Sequence, residues 1–151
     1  MQLAYQIVVT LHVVFAALWF GAPLGSLPGL RMAASSGREA FVSAAKIAER
    51  SGAMAALGTL GVLVTGVALI FVRFKGFGEA PPRFHAALGL VMVALVLGLA
   101  AQRPLVSRLV TAAQSPDWTP ATTDPMRKRL AMFGGISHAI WLVCLILMYT
   151  I

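Results

Sequence analysis

The chain is poor in cysteine, in acidic residues and in charge of either sign: Asp, Glu, Lys and Arg make up 11% of its 151 residues. A single cysteine, Cys144, excludes an intramolecular disulfide framework. Only five acidic residues are present, all in connections or at helix edges, which excludes a carboxylate proton relay through the apolar segments. There is no phosphate-binding loop, dinucleotide fingerprint, paired-cysteine metal motif or HExxH, so the commonest catalytic signatures are missing. A soluble domain is about one quarter charged. This composition therefore excludes a soluble enzyme, and its richness in apolar residues excludes a disordered chain.

What is present is apolar residue in long blocks, 59% of the chain in all. Met1–Leu30, Ser51–Val72, Phe84–Gln102 and Leu130–Ile151 carry no charged side chain and are 30, 22, 19 and 22 residues long. A helix needs about 20 apolar residues to cross the hydrocarbon core. The pattern predicts an all-α integral membrane four-helix bundle, one domain over 1–151, with spans near 3–22, 51–72, 83–102 and 130–150. The net charge of +7 is read as topology and not as affinity for nucleic acid. The first connection carries Arg31, Arg38, Lys46 and Arg50, the second Arg73, Lys75 and Arg83, and the third Arg103, Arg108, Arg127, Lys128 and Arg129. Nine cations thus lie on one side and three on the other, and the positive-inside rule puts the nine in the cytoplasm. Both termini are then extracytoplasmic in a bacterial-type inner (plasma) membrane. The first span lacks a basic n-region and a cleavage pattern and is expected to be retained.

Local signals refine the spans. Tyr5 and Trp19 read as interfacial anchors, and Pro23 and Pro28 as kinking or ending the first helix. Ser36-Gly37-Arg38-Glu39 matches a capping box. Behind it an amphipathic stretch over Ala40–Ala48 leads into the second span, where Gly52, Ala56, Gly58, Gly61 and Gly66 would admit close helix neighbours. Gly76, Gly78, Pro81 and Pro82 form a short turn, with Pro82 in the first turn of the third helix. That helix is expected to run past Gln102 as the amphipathic segment Arg103–Ala113. Asp124-Pro125 reads as N-cap and first position of the fourth helix.

Three histidines, His12, His85 and His138, stand in three of the four apolar runs. An ionisable residue at membrane depth is costly, and its default reading is functional. At about 1.5 Å per residue, His12 lies roughly 12–14 Å below the outer end of its helix, His85 a few ångströms below the same surface and His138 about 18 Å below it. His12 is therefore within reach in depth of either other histidine, while His85 and His138 are too far apart to share one ion. Neutral imidazole is a common haem ligand, and a bundle core offers the apolar slot a porphyrin needs. Gly134 and Gly135, one turn before His138, leave room for a flat macrocycle or simply for close packing. Met54, Met92, Met132 and Met148 are soft groups spread over three helices and read as core packing. Arg31 is placed to hold a propionate or phosphate, or to serve as a solvated topology charge. The Arg127-Lys128-Arg129 run faces anionic lipid.

Leu11-His12-Val13-Val14 followed by Leu18-Trp19-Phe20-Gly21 resembles the first helix of the HemJ-type protoporphyrinogen oxidase family and its CopD-like copper-resistance relatives. Arg31 matches a basic position after that helix, and Glu49-Arg50 with the Gly-rich Thr59–Ile70 segment resembles the second. Arg83-Phe84-His85-Ala86-Ala87-Leu88 resembles the start of the third, with Ala87 where the family carries lysine. The resemblance covers roughly Tyr5–Val110. It implies a four-helix membrane bundle holding haem b, with His12 and His85 near the iron and Trp19 and Arg31 in the cofactor-binding set. HemJ proteins oxidise protoporphyrinogen IX to protoporphyrin IX, and CopD-like proteins are associated with copper uptake.

Three functions follow as expectations. The first is a membrane haem protein with a redox or electron-transfer role, exchanging electrons with quinol or a redox partner protein, or acting on a porphyrin. The second is a copper-handling or transport protein of the CopD type. The third is a cofactor-free assembly subunit in which the histidines bond only to neighbouring helices. The lipid bilayer is the expected partner in each, and a homo-oligomer is compatible with all three.

Overall fold

The computed structural model describes Gln2–Tyr149; Met1 and the end of the fourth apolar run, Thr150 and Ile151, lie outside the described residues. The described chain is all-helical. Helices α1 (Gln2–Gly21), α2 (Ser26–Ser36), α3 (Arg38–Phe74), α4 (Pro82–Leu97), α5 (Arg103–Gln114) and α6 (Pro120–Tyr149) follow in order. A 3₁₀ turn at Phe77–Glu79 precedes α4, and a π-helical turn at Gly98–Gln102 joins α4 to α5 without a break. Four helical stretches, Gln2–Ser36, Arg38–Phe74, Pro82–Gln114 and Pro120–Tyr149, are long and apolar enough to cross a membrane. Their outer faces carry Leu3, Val13, Val64, Val96 and Ile146, all more than half exposed. A soluble protein has no use for such a girdle, and lipid tails cover it without cost.

The long α3 is the spine, packing on α1, α2, α4 and α5, while α6 closes the bundle against α4 and α5. α1 also meets α6 through side chains: the Trp141 indole donates to the Ala16 carbonyl at 3.1 Å. Two cores result. One lies between α1, α3, α4 and α6 and holds Trp19, Val62, Ala87, Val91 and Cys144. The other lies at the end bearing α2 and α5 and holds Leu30, Phe41, Ala45, Leu109 and Leu130. Arg38 ties that end together by donating to the carbonyls of Ala113 and Gln114 at the close of α5.

Glycine decides how closely α1 and α3 approach. A Cβ on Gly58 would stand 2.5 Å from the Trp19 backbone nitrogen and 2.9 Å from the Phe15 carbonyl oxygen, and one on Gly61 would strike the Phe15 ring. Gly66 faces the His12 ring. The small-residue stripe thus works at these three positions, but Gly52 has nothing within 4 Å and lines open space instead. The stretch Arg38–Ala48 is continuous with the span behind it, and α4 does run on as an amphipathic α5, as the periodicity predicts.

Four local expectations are corrected. Trp19 is no interfacial anchor: it is 4% exposed and its indole donates to Ser137 Oγ at 3.2 Å. Ser36 does not cap α3. Its hydroxyl donates back to the Met32 carbonyl at the end of α2, and Gly37, at φ +106°, makes the break that a side chain would strain. Pro28 starts a helix and ends none, lying in the first turn of α2, while Pro23 sits in the turn after α1. Asp124 is not the cap of α6, which begins earlier, at Pro120, leaving Pro125 inside it. Thr119 and Thr122 form the cap there: each backbone N–H donates to the other's hydroxyl oxygen, at 3.3 and 3.4 Å.

Candidate functional site

His12 projects from α1 into a cavity of 330 Å³ between α1, α3, α4 and α6. The walls are almost wholly apolar: Ala16, Trp19, Val62, Ile70, Phe84, Ala87, Val91 and Trp141 contribute, with Cys144 and Met148 from α6. Binding pockets for small molecules run from about 300 to 1,000 Å³ and are lined mainly by such side chains. Both indole N–H groups on the wall are already engaged, Trp19 with Ser137 and Trp141 with Ala16. His12 is therefore the polar group that the cavity offers a ligand most directly.

Its tautomer follows from its neighbour. Nδ1 lies 2.8 Å from Thr65 Oγ1, and the Thr65 hydroxyl lies 2.6 Å from the Gly61 carbonyl. A carbonyl only accepts, so the hydroxyl proton goes to Gly61 and Oγ1 receives the Nδ1 proton. The neutral ring then carries its lone pair on Nε2. This is the arrangement in which a hydrogen bond to one ring nitrogen orients the other for a metal. Thr65 is 7% exposed, so water does not compete for that bond.

The other two histidines are elsewhere. His85 is exposed on α4, its ring centroid 6.1 Å from that of Phe77, and it does not line the cavity. His138 belongs to a second cavity of 420 Å³ at the opposite half of the bundle, which also holds Ser26, Glu49, Gln102, Arg103 and Gly134. Its Nδ1 lies 2.9 Å from the Gly134 carbonyl and its Nε2 3.3 Å from that of Phe20, so both nitrogens face acceptors on the protein. The structure thus brings Trp19 to His12, and keeps His85 and His138 apart from it. Gly134 has the Leu27 side chain against it and Gly135 opens on nothing within 4 Å. Arg31 is exposed on α2 and shares a hollow with Arg127 and Lys128, far from His12. Within that hollow Lys128 and Arg127 bond Asp124, which lies ahead of the membrane-crossing part of α6. The Lys128 hydrogen bond and both positive charges hold that carboxyl below the usual carboxylate range.

Among the described residues, no three of His, Cys, Asp and Glu are grouped to hold a metal ion by themselves. Sequence reasoning passed over Thr65 and Trp141. Thr65 had one legible signal, a hydroxyl deep in a charge-free, glycine-rich span, which it shares with Thr59. Comparison with family models, with curated proteins and with solved structures yields no match.

Proposed function

We propose that the chain is an integral membrane haem-b protein with an electron-transfer role, in which His12 Nε2 would hold the iron. The observation that carries this reading is the Thr65-oriented imidazole at the wall of an apolar cavity between four helices. The residues fit a site with one histidine. Thr65 holds the ring and fixes its proton, Trp19 and Trp141 supply flat apolar walls, and the half-buried Met148 offers a soft thioether on the facing helix. Haem, when bound, would supply the one-electron chemistry, and the apolar shell would set its potential by excluding water. Ala87, where the HemJ-type family carries lysine, is 1% exposed and lines the same cavity. Electrons would pass to quinol or a redox partner protein. The excess of Lys and Arg in the first and third connections supports an inner-membrane placement with both termini outside.

One observation favours a second reading. His12, Cys144 and Met148 line one cavity, and imidazole with thiol and thioether is a donor set that suits Cu(I). The reduced-minus-oxidised visible spectrum of the purified protein separates the two. A Soret band that shifts on dithionite supports the haem reading. A colourless protein carrying one copper per chain supports the copper reading. A protein with neither overturns both in favour of an assembly subunit.

A further inference from the structure

The hollow beside Arg31 gathers like charges from distant parts of the chain. Arg31 comes from α2, and Arg127 and Lys128 come from the first turns of α6. Together they line a cavity of 220 Å³ whose other walls are Leu27, Leu30, Ala131 and Asp124. Three cations meet one carboxylate, so the hollow keeps an excess of positive charge. Asp124 accepts from Arg127 at 3.0 Å and from Lys128 at 2.8 Å, both contacts within a turn of the same helix. They leave Arg127 incompletely used. Its side chain is 16% exposed, and its Nε is buried with no hydrogen-bond partner among the described residues. A buried guanidinium N–H calls for an acceptor, and a ligand oxygen in the hollow would supply one.

The placement narrows the ligand. The hollow opens where the charge-free run of α6 begins, at Leu130, so it stands at the level where hydrocarbon gives way to water. Its walls are of two kinds, charged side chains and the apolar Leu27, Leu30 and Ala131, with both helices supplying both. Anionic phosphate attached to acyl chains presents the same two chemistries at the same depth, and basic pockets between transmembrane helices hold such head groups. Arginine suits the phosphate because its planar fork delivers paired N–H donors.

We propose that the Arg31–Arg127–Lys128 hollow between α2 and α6 binds the phosphate of an anionic phospholipid head group. The test is a titration of the purified full chain in maltoside detergent, read by native mass spectrometry, with phosphatidylglycerol, phosphatidylcholine and inorganic phosphate as probes. Phosphatidylglycerol should bind at one site at least about tenfold more tightly than phosphatidylcholine. Arg31→Gln and Arg127→Gln should each weaken it by roughly tenfold, the scale of a charge-assisted hydrogen bond. Arg129→Gln, outside the hollow, should leave it unchanged. Arg127→Gln also breaks the Asp124 pair, so Arg31→Gln, at an exposed position, is the variant whose loss is not explained by misfolding. Its unfolding midpoint in lipid-free detergent checks that. Inorganic phosphate binding as tightly as the lipid would name free phosphate as the occupant of the same anion site, and weak phosphate binding would name the lipid. Equal binding of the two lipids, or equal weakening by Arg31→Gln and Arg129→Gln, would overturn the proposal.

Discussion

His12 and His138 are the same residue on helices that touch, yet their surroundings differ in kind. His12 has a hydroxyl on one nitrogen and an apolar cavity beside the ring. His138 has a backbone carbonyl against each nitrogen, one from its own helix and one from α1. The half of the bundle around His12 is apolar, walled by aromatic and aliphatic side chains. The half around His138 mixes Glu49, Gln102, Arg103 and Ser26 with apolar groups. Depth in a membrane does not make a histidine a ligand. What matters is whether a neighbour satisfies one nitrogen and leaves the other to a ligand.

The largest expected effect sets the two residues against each other. His12→Ala should lower haem per protein by roughly 100-fold in affinity, more than the loss of a supporting contact costs, while His138→Ala should keep the spectrum and cost about 1 kcal/mol of stability. Haem content by pyridine haemochrome and an unfolding midpoint measure both. Full haem in His12→Ala would erase the distinction.

Next in size is the seam that sets the distance from α1 to α3. Gly58→Ala forces a Cβ against Trp19 and Phe15 backbone, and should cost about 2 kcal/mol in the range of overpacked cores, loosening the His12–Thr65 contact with it. Gly52→Ala, on the same helix in the other half, meets nothing and should be neutral or stabilising by up to about 1 kcal/mol. Equal costs in detergent unfolding would show that the two halves do not differ in packing.

The smallest effect sharpens the chemistry. Thr65→Val keeps the shape and removes the oxygen that accepts from Nδ1. Haem affinity should fall about tenfold, and Thr65→Ser should restore it. An unchanged affinity in the valine variant would mean that the ring needs no such partner.

The four spans were legible because their charges are segregated, and the second and third were read correctly as running on into amphipathic ends. What escaped depended on rotation about the helix axis. Residue counting places His12, His85 and His138 in depth but says nothing of azimuth, so the exposure of His85 and the separation of His138 from His12 could not be read. Trp19 looked interfacial from its place in the chain, yet Gly58 across the seam lets it sink into the core. The cap of α6 escaped for another reason. Thr119 and Thr122 perform it with two hydroxyls, where the usual signature has a longer acidic or amide side chain.

The π-helical turn at Gly98–Gln102 gives the chain a built-in change of phase. Each residue advances an α-helix by about 100°, and a π turn takes up about one residue more than an α turn. The step from Ala94 to Val106 therefore closes on about three whole turns, so Val106, Leu109 and Ala113 continue the face that Val91 and Ala94 begin, and one stripe serves a core at each end of the bundle. Deleting a single residue there would let the joint close as α-helix with the α5 stripe still facing its partners. Forcing α geometry with every residue kept would instead swing that stripe by about 100° from its partners on α3 and α6, making residue count at this joint matter more than residue identity.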